Sequence, residues 1–371
     1  MRNQHSCLLT TILIAVGSPL ALAQTEPEPI PVIPAVAMAS PSAAPSGGAY
    51  PHAGIRAQLV GSGARSYWLF EPDAPRPVGR CPVAVFNHGW LAVNPGVYGA
   101  WIEHLVKQGQ VVIYPRYQTD WTTNPADFLP NATAAVLDAL DVLETAPERV
   151  RPDRNRFALI GHSAGGNLAV LMAASADSTG LPHPRAVLAF MPGEVLHLEH
   201  PNPADLPPET LLVVVAGDRD RVVGDSRARQ IFAQAETLGP DRKEYVLYQT
   251  RRRGLSTLLA DHLAPTAALH SLDSGEGPFR AYQMKKANVD HLDRQGFWSL
   301  TDATLSAGFS GRSLNDDGVL AALDQVGDGR VISGDDLSAI PRVFPSNGAR
   351  LITFPAPEFK GLSAFSLPDT N

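Results

Sequence analysis

Short runs of apolar residues alternate along this chain with segments of helical composition. The apolar runs predict buried strands at 66–70, 82–86, 111–114, 156–160, 186–190, 211–215 and 244–248. The intervening segments predict helices at 97–108, 132–144, 166–174 and 226–238. Near-continuous apolar strands joined by helical crossovers are typical of an α/β fold, with a mostly parallel sheet and helices on both faces. The active site of such a fold lies at the carboxyl ends of the strands.

The N-terminus departs from this pattern. Arg2 precedes an interrupted apolar stretch, 8–22, and Ala21-Leu22-Ala23 has the small-x-small form of a cleavage site. The stretch is too short and too broken to span a membrane, so we predict a cleavable secretory signal peptide at 1–23. An export signal indicates a secreted or periplasmic protein, in this case of bacterial origin.

The next segment, residues 24–49, consists of proline, alanine, serine and glutamate with almost no large side chains. Such a composition buries too little apolar surface to offset the entropy of ordering, so we predict a disordered tether. Residues 50–371 are predicted to form a single domain. Cleavage of the signal peptide leaves Cys81 without a second cysteine, and no internal disulfide is expected.

The composition of the 371 residues narrows the function classes. Hydrophobic residues make up 44% and charged residues 18%, as in a globular chain with a sizeable core. The net charge is −7 and the basic residues form no concentrated stripe, so we expect no nucleic-acid partner. We also expect no transmembrane segment in the mature chain.

The pentapeptide Gly161-His162-Ser163-Ala164-Gly165 is the most informative motif. It lies between a predicted strand and a predicted helix, which is the setting of a nucleophile elbow. The tight turn leaves no room for a Cβ atom two residues to either side of the serine, so glycine is needed there. We predict that Ser163 is a nucleophile.

A serine hydroxyl needs a histidine base, and the base needs an orienting carboxylate. In this fold the order along the chain is serine, acid, histidine. Asp218 and Asp220 both follow the strand at 211–215, and we favour Asp220 because the chain has left the strand there and can turn toward the site. His262 follows the last predicted strand and is the favoured base.

Two other histidines remain alternatives to His262. His291 begins a further predicted helix that includes Trp298, and His270 lies between the two. The predicted oxyanion hole combines the amide of Ala164, next to the nucleophile, with the amide of Trp90. Trp90 ends the stretch Asn87-His88-Gly89-Trp90, which follows the strand at 82–86.

Four motifs together carry a family resemblance: 86–90, 114–118, 161–166 and 217–220. They resemble the chlorophyllase/dienelactone-hydrolase-like serine esterase branch of the α/β-hydrolase superfamily, over roughly residues 64–308. The nucleophile and oxyanion loops are also similar to those of lipases, and the nucleophile loop is similar to that of bacterial cutinase-like polyester hydrolases, which carry a different oxyanion loop. The resemblance implies a carboxylic-ester hydrolase in which the five residues predicted above take the family roles.

Two segments have a weak metal-binding pattern. Residues 197–200 lack the spacing of a zinc helix, and residues 324–335 lack two of the ligands of a calcium loop. No glycine-rich nucleotide motif follows a strand. We therefore expect neither a metal nor a cofactor.

These patterns predict an exported serine hydrolase that acts on small-molecule esters. Acyl transfer to an alcohol would use the same residues, and a non-catalytic binding protein on a hydrolase scaffold is an alternative from another class. The proline-rich stretch between the strands at 186–190 and 211–215 leaves no room for a large helical lid.

Overall fold

The structure, a computed structural model, describes residues 49–194, 201–253 and 256–315, residue 319, and the stretches 332–333, 337–345, 352–353 and 363–364. All of them belong to one compact unit, Val32–Asn371. The predicted signal peptide and nearly all of the predicted tether lie outside the described residues, as do both weak metal-binding patterns except for 332–333.

The strands are β1 Gly54–Val60, β2 Tyr67–Asp73, β3 Cys81–Asn87, β4 Val111–Pro115, β5 Pro152–His162, β6 Ala186–Phe190, β7 Leu211–Gly217, β8 Lys243–Tyr248, β9 Arg251–Arg253, β10 Ser256–Leu258, β11 Ile332–Ser333, β12 Ile352–Thr353 and β13 Ser363–Ala364. Within the described residues, nine of them form one sheet in the order β1-β2-β4-β3-β5-β6-β7-β8-β11. Strands β3 to β8 pair in parallel, whereas β1, β2 and β11 add antiparallel pairings at the two edges. The carboxyl ends of β3, β5 and β7 therefore face the same edge of the sheet.

The α-helices are α1 Gly99–Lys107, α2 Phe128–Thr145, α3 Ala164–Ala174, α4 Ala176–Thr179, α5 Ser226–Gln234, α6 Arg280–Lys286 and α7 Ser299–Phe309. A π-helical turn, Leu292–Trp298, runs into α7. Short 3₁₀ turns lie at Gly63–Arg65, Pro95–Tyr98, Pro125–Asp127, Pro203–Asp205, His270–Leu272 and Leu337–Ala339.

Side chains from the central strands alternate between two apolar layers, because successive residues of a strand point to opposite faces. In β3, for example, Val83 and Val85 pack into the layer that contains α2, α3 and α5. Ala84 and Phe86 pack into the opposite layer, which contains α1, α6 and α7. The predicted mostly parallel sheet with helices on both faces is confirmed.

Each of the seven predicted strands is present, and the predicted helices correspond to α1, α2, α3 and α5. Strand β1 was not predicted. Every residue of β1 is partly exposed, so this edge strand carries no apolar run that would identify it. Helix α6 was also not predicted.

Candidate active site

The predicted elbow has the backbone geometry of a strained turn. Ser163 lies between the end of β5 and the start of α3 with φ 57° and ψ −125°. That left-handed φ is unfavourable for a residue with a side chain, and here the surrounding hydrogen bonds maintain it. The Ser163 amide donates to the carbonyl of Phe190, and its carbonyl accepts from the amide of Gly166, each at 2.9 Å.

Both flanking glycines are sterically required. A Cβ atom on Gly161 would lie 2.0 Å from the carbonyl oxygen of Gly165. A Cβ atom on Gly165 would lie 2.1 Å from the carbonyl oxygen of Asn87, at the end of β3. Backbone packs against backbone at both places, so neither contact can be relieved by moving a side chain.

The structure brings Ser163, His262 and Asp220 together. The Nε2 atom of His262 lies 2.9 Å from Oγ of Ser163, and its Nδ1 atom lies 2.8 Å from Oδ2 of Asp220. A carboxylate only accepts, so Nδ1–H donates to Asp220 and Nε2 is left to accept the serine proton. All three side chains are buried.

Asp220 is held as a carboxylate. Its other oxygen, Oδ1, accepts the amides of Val222 and Val223 at 2.9 and 3.0 Å. Burial by itself raises the pKa of the carboxyl, but the neighbouring His262 and the two amides outweigh it and hold the pKa below its ordinary value.

The three alternative residues lie elsewhere. Oδ1 of Asp218 accepts the amide of Thr250 at 2.8 Å, which ties two strand-end loops together. His270 begins a 3₁₀ turn and is exposed, and His291 caps the π-helical turn. Neither histidine is among the residues that line the cavity described below.

The two predicted oxyanion donors, Ala164 and Trp90, directly follow Ser163 and Gly89 in the chain. Ala164 is the first residue of α3, and the amides of the first helical turn have no acceptor within their own helix. Trp90 follows Gly89, and a Cβ atom on Gly89 would lie only 3.4 Å from the Cβ of Ser163. The backbone at Gly89 thus approaches Ser163 closely, and the donor roles of Trp90 and Ala164 stay predictions.

A buried chain of hydrogen bonds, which the sequence patterns did not reveal, connects the parts of the site. Nε2 of His162 lies 2.7 Å from the carbonyl oxygen of His262, and a carbonyl only accepts, so Nε2 carries the proton. Nδ1 of His162 then accepts from the hydroxyl of Tyr98 at 2.8 Å. The same hydroxyl accepts the amide of Gly89 at 2.9 Å.

This Tyr98–His162 chain ties the oxyanion loop, the elbow and the loop of the base together. Burial, with the nearby His262 as a second cause, lowers the pKa of His162 to about 3. The ring is therefore neutral at physiological pH, as its two hydrogen bonds require. The signal available in the sequence was the position of His162 directly before the nucleophile.

Ser163 and His262 open onto a cavity of about 500 Å³. This volume lies within the range of small-molecule sites. The described residues that line the cavity come from the oxyanion loop, the elbow, the loops after β4, β7 and β10, and α6 with the residue before it. They include Trp90, Tyr98, Trp121, Val222, Leu263 and Phe279.

A segment that follows the base, residues 267–290, covers one side of the cavity; we call it the cover segment. Its start is fixed by backbone bonds, from Ala267 to Val97 at 2.9 Å and from Leu269 to Gly96 at 2.9 Å. Asn94 donates to Oδ1 of Asp273 at 2.9 Å. The short connection between β6 and β7 has no room for a large helical lid, and the covering element lies after His262 instead.

No cluster of three or more histidine, cysteine, aspartate or glutamate side chains suited to a metal occurs among the residues that the structure describes. Within the same residues, no helix is both long enough and apolar enough to cross a membrane.

Comparisons with known proteins agree with this geometry. Residues 85–219, which include the oxyanion loop, the elbow and the end of β7, match the model of a family described as having the alpha/beta hydrolase fold. With the sheet topology, this match shows that the chain has the α/β-hydrolase fold.

Two named proteins are similar in sequence to this chain. Chlorophyllase-2 from Arabidopsis thaliana is 26% identical over 193 residues, which are 46% of this chain and 56% of that protein. A methylphloroacetophenone synthase from Cladonia uncialis is 25% identical over 260 residues, which are 64% of this chain and 10% of that protein. The chain therefore spans about half of the first relative and a tenth of the second.

Proposed function

We propose that this protein is a serine hydrolase that cleaves carboxylic esters. The observation that carries the proposal is the hydrogen-bonded series from Ser163 through His262 to Asp220, with distances of 2.9 and 2.8 Å, at a cavity of about 500 Å³. A hydroxyl so placed can lose its proton to the imidazole as it attacks a carbonyl carbon. Similarity to a chlorophyllase supports a hydrolase.

In the proposed mechanism, Oγ of Ser163 attacks the ester carbonyl while Nε2 of His262 takes the hydroxyl proton. Asp220 accepts Nδ1–H throughout and stabilises the imidazolium. The amides of Trp90 and Ala164 stabilise the oxyanion of the tetrahedral intermediate.

Collapse of that intermediate breaks the bond to the alcohol, which leaves with the proton from His262. The acyl group stays on Ser163. Water then enters, gives its proton to His262 and attacks the acyl carbon. The carboxylic acid departs and Ser163 regains its proton.

Acyl transfer is a second candidate, because a relative covering 64% of this chain is named a synthase. The same residues would serve, and an alcohol would replace water in the second half of the reaction. Incubating the protein with an ester and excess alcohol distinguishes the two, because transfer yields a new ester whereas hydrolysis yields free acid.

The proposal is tested by Ser163→Ala and by a fluorophosphonate. We expect the variant to lose at least about 10³-fold in kcat while staying folded, with Ser178→Ala as a control away from the site. The reagent should add once, at Ser163, as located by peptide mass spectrometry, and EDTA should leave activity unchanged. Label at another residue, or activity lost to EDTA and restored by zinc, would contradict the mechanism. No label together with no ester turnover would favour the binding protein.

We further propose that the protein is exported with loss of residues 1–23. The support is the sequence pattern around Ala21-Leu22-Ala23 alone. N-terminal sequencing of protein recovered from the periplasm or medium of an expressing bacterium should begin at Gln24. Full-length protein confined to the cytoplasm would contradict export.

A further inference from the structure

The mouth of the cavity is unusually rich in exposed apolar side chains. Among the described residues, five large hydrophobic side chains are exposed: Val78, Trp121, Leu259, Tyr282 and Phe344. Three of these five, Trp121, Leu259 and Tyr282, line the same cavity. Exposed apolar groups gathered at a concave site mark a binding surface, whereas single ones scattered over a surface carry no such meaning.

Aromatic rings from two segments of the chain meet at the mouth. The ring of Trp121, from the loop after β4, meets the ring of Phe279 edge to face, with centroids 5.7 Å apart and planes at 77°. Phe279 directly precedes α6 and Tyr282 follows three residues later, so both rings lie on one side of the helix start. Two distant parts of the chain thus form an aromatic rim, with Trp121 and Tyr282 46% and 43% exposed.

The same mouth carries positive charge, although the chain as a whole has a net charge of −7. Three cationic residues line the cavity, Arg219, Arg221 and Lys286, against one acidic residue, Asp261. Oδ1 of Asp261 accepts the amide of Leu263 at 3.0 Å, so that carboxylate is bound to its own loop.

Two of these cations are placed to meet a ligand. Within the described part of the chain, no carboxylate lies within ion-pair distance of Arg219 or Lys286. Both side chains are exposed, and Nζ of Lys286 lies 6.0 Å from the centroid of the Tyr282 ring. A cation beside an aromatic surface suits a ligand that is flat, apolar and negatively charged at its edge.

We propose that the mouth is a subsite for an aromatic group with an anionic substituent, such as a ring bearing a carboxylate, on the ester that Ser163 attacks. The inference rests on the proposed function and names the substrate class for that site. The aromatic rim packs against the ring, Lys286 and Arg219 meet the anion, and the interior of the cavity holds the rest of the ester.

The test compares kcat/KM for four butyrate esters whose alcohols are cyclohexylmethanol, benzyl alcohol, 4-carboxybenzyl alcohol and 4-(trimethylammonio)benzyl alcohol. A second series carries the same four groups on the acyl side of a methyl ester, so that either side of the scissile bond is tested. In at least one series we expect the carboxylate ester to be best, followed by the neutral aryl, the cyclohexyl and the cationic ester.

Matched variants assign the preference to the mouth. Trp121→Ala and Tyr282→Ala should each lower kcat/KM for the aryl esters by about 3- to 10-fold and spare the cyclohexyl ester. Lys286→Gln and Arg219→Gln should each lower kcat/KM for the carboxylate ester by about 2- to 5-fold, an effect that 1 M salt removes. The controls are Phe344→Ala, an exposed aromatic that does not line the cavity, and Lys285→Gln, the neighbouring exposed lysine on α6; neither should change the order.

Equal kcat/KM values for the four groups in both series, with no effect of the mouth variants, would overturn the subsite while leaving the esterase in place. If the mouth variants lose activity only on emulsified triglyceride, the subsite is overturned in favour of a lipid-surface contact. If the wild type hydrolyses none of the esters, the proposed function fails and the subsite, which rests on it, fails too.

Discussion

The hydroxyl of Tyr98 offers a quantitative test of how the site is held together. Tyr98→Phe removes one oxygen atom from a side chain that is 1% exposed and leaves the ring in place. The amide of Gly89 loses its acceptor and Nδ1 of His162 loses its donor. An unsatisfied buried polar group costs about 1–3 kcal/mol, so the two together predict a loss of about 2–6 kcal/mol in the free energy of unfolding.

The activity of this variant should fall as well. The two groups that lose their partner belong to the oxyanion loop and to the elbow, and misplacement of about 1 Å in a reaction centre can lower the rate by roughly 100-fold. We expect kcat to fall by about 10- to 100-fold with little change in KM, since the lining of the cavity is otherwise retained.

Tyr248→Phe is the matched control. The hydroxyl of Tyr248 is also buried, but it has no hydrogen-bond partner among the described residues, so removing it should cost less than about 0.5 kcal/mol. Urea unfolding followed by tryptophan fluorescence, together with kcat for p-nitrophenyl butyrate, provides both measurements. Equal stability of the two variants, or a Tyr98→Phe enzyme with wild-type kcat, would refute the reasoning.

Three further predictions concern the base, the pH dependence of stability and the elbow. His262→Ala should reduce ester hydrolysis by at least about 10³-fold, whereas His291→Ala should keep most activity; the reverse order would move the base to His291. The pKa of His162 is lowered from 6.5 to about 3, so below pH 6.5 the unfolded chain binds a proton that the native chain does not. This lowered pKa leaves the free energy of unfolding unchanged above pH 6.5. As the pH falls from 6.5 toward 3, the free energy of unfolding decreases by about 1.4 kcal/mol per pH unit. Urea unfolding at pH 7 and pH 5 should therefore show an acid loss about 2 kcal/mol smaller in His162→Gln, and parallel losses would contradict the assignment. Gly165→Ala should give little folded protein because its Cβ would lie 2.1 Å from a backbone oxygen, and a soluble, active Gly165→Ala enzyme would disprove the steric argument.

The sequence was most informative where chemistry and local backbone geometry coincide. The elbow could be predicted because the steric demand at Gly161, whose Cβ atom would meet Gly165, acts within five residues. Asp220 and His262 could be proposed because parallel strands bring their carboxyl ends to one edge, so the order of motifs along the chain becomes proximity in space.

The features that were not predicted depend on contacts between distant residues. Tyr98 and His162 are 64 positions apart, and nothing in the residues around Tyr98 indicates that its hydroxyl will be buried against an elbow. The cover segment was missed for another reason. Helix α6 has seven residues and only Met284 is buried, so the sequence there has no apolar face of helical period.

The cover segment and the Ser163–His262–Asp220 series belong to different parts of the chain. Ser163, Asp220 and His262 follow strands, whereas Phe279, Tyr282 and Lys286 line the cavity from the cover segment. The cover segment packs on Gly96 and Gly99, where a Cβ atom would collide with it. We therefore expect that residues 276–286 can be exchanged in the laboratory while Ser163 and His262 stay in place. On the proposed function, the residues that would select the ester thus lie in a different segment of the chain from those that would cleave it.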